Sequence, residues 1–153
     1  MSVQAMDESR AGFAFWAISA VLLLWGVMGC SIYVAYFVET PQEFALTAET
    51  AANRAGYADY VANIPIWAIA VGVIAAAARL LGGVALLLRR AWALPLYVAS
   101  LIFFLAALFR GFVLADAGRV MSDGHIAVEA VFVGLNLFAI GFACYGKTRG
   151  ILR

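Results

Sequence analysis

The chain has 153 residues, 66% of them apolar or aromatic and 12% charged, with a mean hydropathy of +0.98. Soluble domains are about half apolar and a quarter charged, so a soluble globular domain is excluded; disorder is excluded too, because this much apolar surface needs cover. A net charge of +1 offers no basis for bulk nucleic-acid binding, and two cysteines are too few for a disulfide scaffold.

A bilayer core of about 30 Å takes about 20 mostly apolar residues per helix. The first stretch that qualifies is 12–37. Within it, Val27-Met28-Gly29-Cys30 is similar to a bacterial lipoprotein cleavage box. The preceding tail carries Asp7 and Glu8 beside Arg10, and the apolar run continues past Cys30 to Phe37, so the segment is read as a true span.

The loop at 38–65 is the only long one. Thr40-Pro41-Gln42-Glu43 reads as a helix start, with Thr40 as cap, Pro41 at the first position and Glu43 closing a capping box. Phe44, Ala48, Ala51 and Ala55 follow at helical steps, and Gly56 supplies a stop. The expectation is one short amphipathic helix on the outer face, serving as a connector or as a lid.

The second span is expected over 66–88. Arg79 lies near its middle, about 15 Å from Arg89 at 1.5 Å per residue, too far to snorkel comfortably. Gly72, Ala75, Ala76, Gly82 and Gly83 share its helical face, while the opposite face is Leu- and Val-rich. Small faces are where membrane helices approach closely, so Arg79 is expected to point into the bundle or a protomer interface. The tight Arg89-Arg90 turn makes the third span, 91–115, the antiparallel neighbour of the second. A short loop follows, with Ser122 or Asp123 capping the fourth span, 126–145.

Positive charge fixes the orientation. Arg10, Arg89, Arg90, Lys147, Arg149 and Arg153 fall on one side, against Arg54 and Arg119 on the other. Both termini are therefore expected in the cytoplasm. The fold class is an all-α, single-domain polytopic membrane protein: four transmembrane helices in an antiparallel bundle, plus the loop helix.

Three ionisable residues sit within the spans: Arg79, Arg110 and Glu129. Asn136, Ser100 and Ser19 can reach mid-membrane depth, and Glu129 and Asn136 share a helical face. An Arg110–Glu129 pair near the outer surface, with Arg79 meeting Asn136 and optionally Ser100 below, would make a polar line down the bundle. Such a line fixes helix register, carries a polar solute or protons, or docks another membrane subunit. His125 with scattered carboxylates is a poor metal set, and no metal or other cofactor is expected. There is no nucleophile–His–acid set, no phosphate loop and no haem pair of histidines, so an enzyme is not expected. Trp25 reads as packing, and no aromatic pair stands ready to stack on a sugar.

Leu24-Trp25-Gly26-Val27-Met28-Gly29, Pro65-Ile66-Trp67-Ala68 and the run from Gly82-Gly83-Val84 through Arg89-Arg90-Ala91-Trp92 to Leu96 carry a resemblance. They resemble a family of small four-helix bacterial membrane proteins commonly labelled sugar transporters, from the first span through the third. The chain departs at Gly26, where that family tends to carry Asn, and at Ala78-Arg79, where it tends to carry small residues. The resemblance implies a multi-pass protein of the bacterial cytoplasmic (inner) membrane that moves a small polar solute. Four short helices barely enclose a solute, so transport implies an oligomer, with the small face of the second span supplying its interface. The alternative is a non-enzymatic accessory or assembly subunit of a larger membrane complex. Its partners would be the lipid bilayer and other membrane proteins.

Overall fold

The computed structural model describes residues 12–153. Asp7, Glu8 and Arg10, used above, lie outside them. The described residues form helices and no strands: α1 (Phe13–Val38), α2 (Pro41–Ala48), α3 (Arg54–Ala62), α4 (Ile66–Leu87), α5 (Ala93–Phe109) and α6 (Asp123–Thr148). A π-helical turn, Arg110–Leu114, continues α5, and a 3-10 turn, Ala117–Arg119, precedes α6. The segments α1, α4, α5 with its π turn, and α6 are each long and apolar enough to cross a membrane. This supports a multi-pass membrane protein built as a helical bundle.

The most buried of the four is α4, with 44% of its apolar window covered against 17–22% for the others. Its glycines explain why. A Cβ on Gly83 would sit 2.8 Å from Leu23 Cα, and one on Gly26 would sit 2.8 Å from Leu80 Cα, so α1 and α4 touch backbone to backbone. Gly82 receives the Tyr97 ring of α5 at 3.1 Å from the same ideal position. The small face is therefore filled within the chain, by α1 and α5. The expectation that it forms a contact between protomers is corrected: the face is already occupied.

At the other end of the bundle from α2 and α3, a short segment is stitched over the Arg89-Arg90 turn. Gly150, at φ +67°, ends α6 in a Schellman motif: Ile151 N–H donates to Gly146 O at 2.9 Å and Gly150 N–H to Lys147 O at 3.1 Å. The chain then runs beside the turn. Arg153 N–H donates to Arg89 O at 2.8 Å, and Ala91 N–H donates to Arg153 O at 2.9 Å. Ile151 and Leu152 are buried in the core with Phe15.

The loop at 38–65 holds two helices where the sequence predicted one. The capping box is present: Thr40 N–H donates to Glu43 Oε2 at 2.8 Å, and Glu43 N–H to Thr40 Oγ1 at 3.3 Å. The Thr40 N–H and the Thr40 hydroxyl, both donating to Oε2 at 2.8 Å, hold the exposed Glu43 carboxyl below its usual range. However, α2 stops at Ala48, where Glu49 turns extended. Gly56 does not end a helix but lies inside α3, where a Cβ would press on Val120 Cγ1 at 3.0 Å. Close approach to the 117–121 segment, rather than helix termination, is what the glycine serves.

A cavity ending at a buried arginine

A cavity of about 520 Å³ lies beneath α2 and α3. Tyr36 of α1, Phe44 of α2, Tyr57 and Tyr60 of α3, Arg110 of the π turn and Glu129 of α6 all face it. The aromatic wall is ordered: Phe44 stacks on Tyr57, and Tyr57 on Tyr60 at 5.9 Å between centroids. The sequence did not foresee this aromatic wall, because α2 and α3 bring together rings from separate segments. Burial pushes the Tyr57 hydroxyl's pKa up, so it stays a neutral donor.

Below this cavity lies a smaller chamber of about 80 Å³. The two share the side chains of Ile32, Tyr33, Phe104, Glu129 and Phe132 as a common wall. Arg79 lines the chamber and is only 3% exposed. Its guanidinium carbon lies 4.2 Å from the centroid of the Trp25 ring, 5.2 Å from Phe104 and 5.4 Å from Phe132. Each such contact is worth about 0.5–2 kcal/mol, the upper end when desolvated. Gly29 makes room, since a Cβ there would lie 3.1 Å from Arg79 Nη1. On the chamber's far side, Gly72 is needed because a Cβ would overlap the Tyr33 hydroxyl.

Arg79 therefore points into the bundle, as its small-residue face implied. Its predicted partners are different. Among the described residues no hydrogen bond or ion pair reaches Arg79, and its Nε is buried without a partner. Asn136 instead donates from Nδ2 to Phe132 O at 3.3 Å, while Ser19 and Ser100, fully buried, have hydroxyls without partners. Aromatic faces replace the predicted amide and hydroxyl contacts. Trp25, Gly29 and Tyr33 recur every four residues on one face of α1, a stripe that would have identified the cage.

The Arg110–Glu129 pair is also corrected. Both residues line the cavity, but no ion pair joins them among the described residues. Arg110, 8% exposed, donates from Nη2 to Asn63 O at 3.3 Å and stacks on Tyr60 at 5.1 Å. The π turn carries it there: Ala115 N–H reaches back to Arg110 O, a five-residue step that widens the turn. Glu129 faces His125 instead, with Oε1 3.7 Å from Nε2.

His125, read from sequence as a weak metal ligand, bridges two carboxylates. Its Nδ1 lies 2.8 Å from Glu49 Oε1, and its ring packs against Tyr57. The Glu49 side chain is fully buried and also accepts the Ser122 N–H at 3.1 Å. Ser122 in turn caps α6, its Oγ accepting from His125 N–H at 3.3 Å. Glu49 thus ties the α2–α3 layer to the start of α6. Replacing it with alanine strips a buried charge partner from His125 and an acceptor from Ser122. The expected cost is about 3 kcal/mol, read as a lower thermal midpoint in detergent, with faster amide exchange in 41–62 than in α4.

Fold and site together support a multi-pass membrane bundle holding a largely apolar, aromatic-walled cavity with a few charged side chains on its lining. No protein-family model, no curated protein and no solved structure matches the chain.

Proposed function

We propose that this protein binds a small polar solute in the cavity beneath α2 and α3 and carries it across the membrane. The observation that bears most weight is Arg79: a buried cation without a hydrogen-bonding partner among the described residues, in a small chamber that shares a wall with a cavity of about 520 Å³. Cavities of about 300–1,000 Å³ suit small-molecule ligands. A cation in mid-membrane carries an insertion cost of about 2.5–3.5 kcal/mol, and such residues mark substrate or ion paths. The resemblance to bacterial proteins labelled sugar transporters fits the same reading.

In this proposal the four spans form an antiparallel bundle. The close contacts support it, since 23 meets 83 and 26 meets 80, numbers that run in opposite senses. Both termini lie in the cytoplasm of a bacterial inner membrane, on the side of the Arg89-Arg90 turn. The cavity then faces outward, with α2 and α3 as its lid. An oligomer would have to use surfaces other than the small face of α4.

Uptake of labelled small solutes into proteoliposomes tests the reading. Flux above that of protein-free vesicles is expected, falling about tenfold or more with Arg79→Gln, the effect of one lost charged contact. Absence of flux, with the protein instead co-purifying stoichiometrically with another membrane protein, would favour the accessory-subunit alternative.

A further inference from the structure

From the chamber around Arg79 we infer the class of solute: a small organic anion whose carboxylate seats on the Arg79 guanidinium. The inference rests on the cavity being a solute site and adds which chemistry it selects. Three rings surround the guanidinium carbon, Trp25 at 4.2 Å and Phe104 and Phe132 beyond, and none offers a hydrogen-bond acceptor in place of a carboxylate. A guanidinium's N–H donors lie in its plane, so ring stacking leaves them unsatisfied. That edge is a planar fork, the geometry that matches a carboxylate with two parallel bonds.

The charge balance agrees. Two buried arginines line the adjoining spaces, and neither has a carboxylate within ion-pair distance among the described residues; Arg110 Nη1 is also buried without a partner. The carboxylates that are near, Glu49 and Glu129, both lie against His125, at 2.8 Å and 3.7 Å. The residues lining the two spaces set Arg79 and Arg110 against Glu129 alone, one positive charge in surplus with His125 neutral. A neutral sugar would not answer that surplus.

Size and donor supply narrow the class. The chamber, at about 80 Å³, holds a carboxylate and a carbon or two, and a longer solute would have to part the shared wall at Ile32 and Phe132 to reach the larger cavity. Among the described residues, the only side-chain donor on the chamber wall besides Arg79 that is not a carboxyl is the Tyr33 hydroxyl; the rest is glycine, alanine, isoleucine and phenylalanine, with Glu129 on the wall shared with the larger cavity. A phosphate dianion would leave oxygens unbonded there, whereas a carboxylate needs no more than the fork and one hydroxyl.

The purified full chain, in detergent and in lipid nanodiscs, is titrated with acetate, lactate and benzoate. Glucose serves as the neutral control and chloride as the inorganic one. Calorimetry and the thermal midpoint give the readouts. The carboxylates are expected to bind saturably and raise the midpoint, with glucose and chloride much weaker. Arg79→Gln should weaken carboxylate binding about ten- to a hundredfold, the size of a lost charge-assisted contact. Glu129→Gln should act the other way, tightening it, because it removes a negative charge from the same chamber. This second variant keeps the test decisive should Arg79→Gln fail to fold. Glucose and acetate binding equally, unmoved by either substitution, would overturn the inference and leave the transport reading standing. Chloride matching acetate would overturn the carboxylate assignment. Carboxylate binding without flux would support the inference and remove the transport reading.

Discussion

Arg79→Met is expected to make the protein more stable and to abolish capture of an anion. A mid-helix arginine costs about 2.5–3.5 kcal/mol to place in a membrane. Here no carboxylate or hydrogen bond offsets that cost among the described residues; only the rings of Trp25, Phe104 and Phe132 do. Methionine reaches as far, keeps contact with the same rings through its sulfur and leaves no buried charge. A gain of about 1–2 kcal/mol follows, a rise of roughly 2–8 °C in thermal midpoint for a chain of this size. Thermal unfolding in detergent, paired with the carboxylate titration, measures both effects. A lower midpoint for the methionine variant would instead make the guanidinium a structural post holding the three rings.

The largest loss of stability is expected at Gly83. Its Cβ position lies 2.8 Å from Leu23 Cα, a backbone atom that cannot rotate away. Gly83→Leu must therefore drive α1 from α4 along their shared length. Overpacking a core costs about 1–3 kcal/mol when side chains can yield, and more where a helix must move. Loss of the folded, monodisperse species in detergent is expected. Gly141→Leu on α6 is the matched control, since nothing lies within 4 Å of its Cβ position. It should be neutral or slightly stabilising, leucine being the better helix former by nearly 1 kcal/mol. Equal damage from the two substitutions would mean that the α1–α4 contact does not hold the bundle together.

What composition and spacing could reveal divides along physical lines. The spanning helices follow from hydropathy, because each long apolar run needs the full bilayer thickness. The inward aim of Arg79 follows from Gly72, Ala75, Ala76, Gly82 and Gly83 sharing its face. Its companions do not. Arg79 meets Trp25, Phe104 and Phe132, which come from other helices, and depth alone cannot tell an aromatic face from an amide at the same level. The same limit misplaced Arg110, whose direction is set by a π-helical turn that no local pattern announces. Glu49 and His125 lie 76 positions apart and meet only because α2 and α3 fold against the start of α6. The capping box at Thr40, by contrast, was legible because all its partners lie within one turn.

The stitched segment beyond α6 has a bearing on how a solute could leave. The two adjoining spaces end at Arg79, and beneath it Leu22, Tyr97, Ala139 and Ala143 pack into a core with Ile151 and Leu152. The vestibule is blind. A through-passage would require that core to part, and its seam is short: the backbone bonds at Arg153–Arg89 and Ala91–Arg153, with the Arg89 side chain clasping Ile151 O at 3.0 Å. Anything fused directly after Arg153 would pull on that hasp.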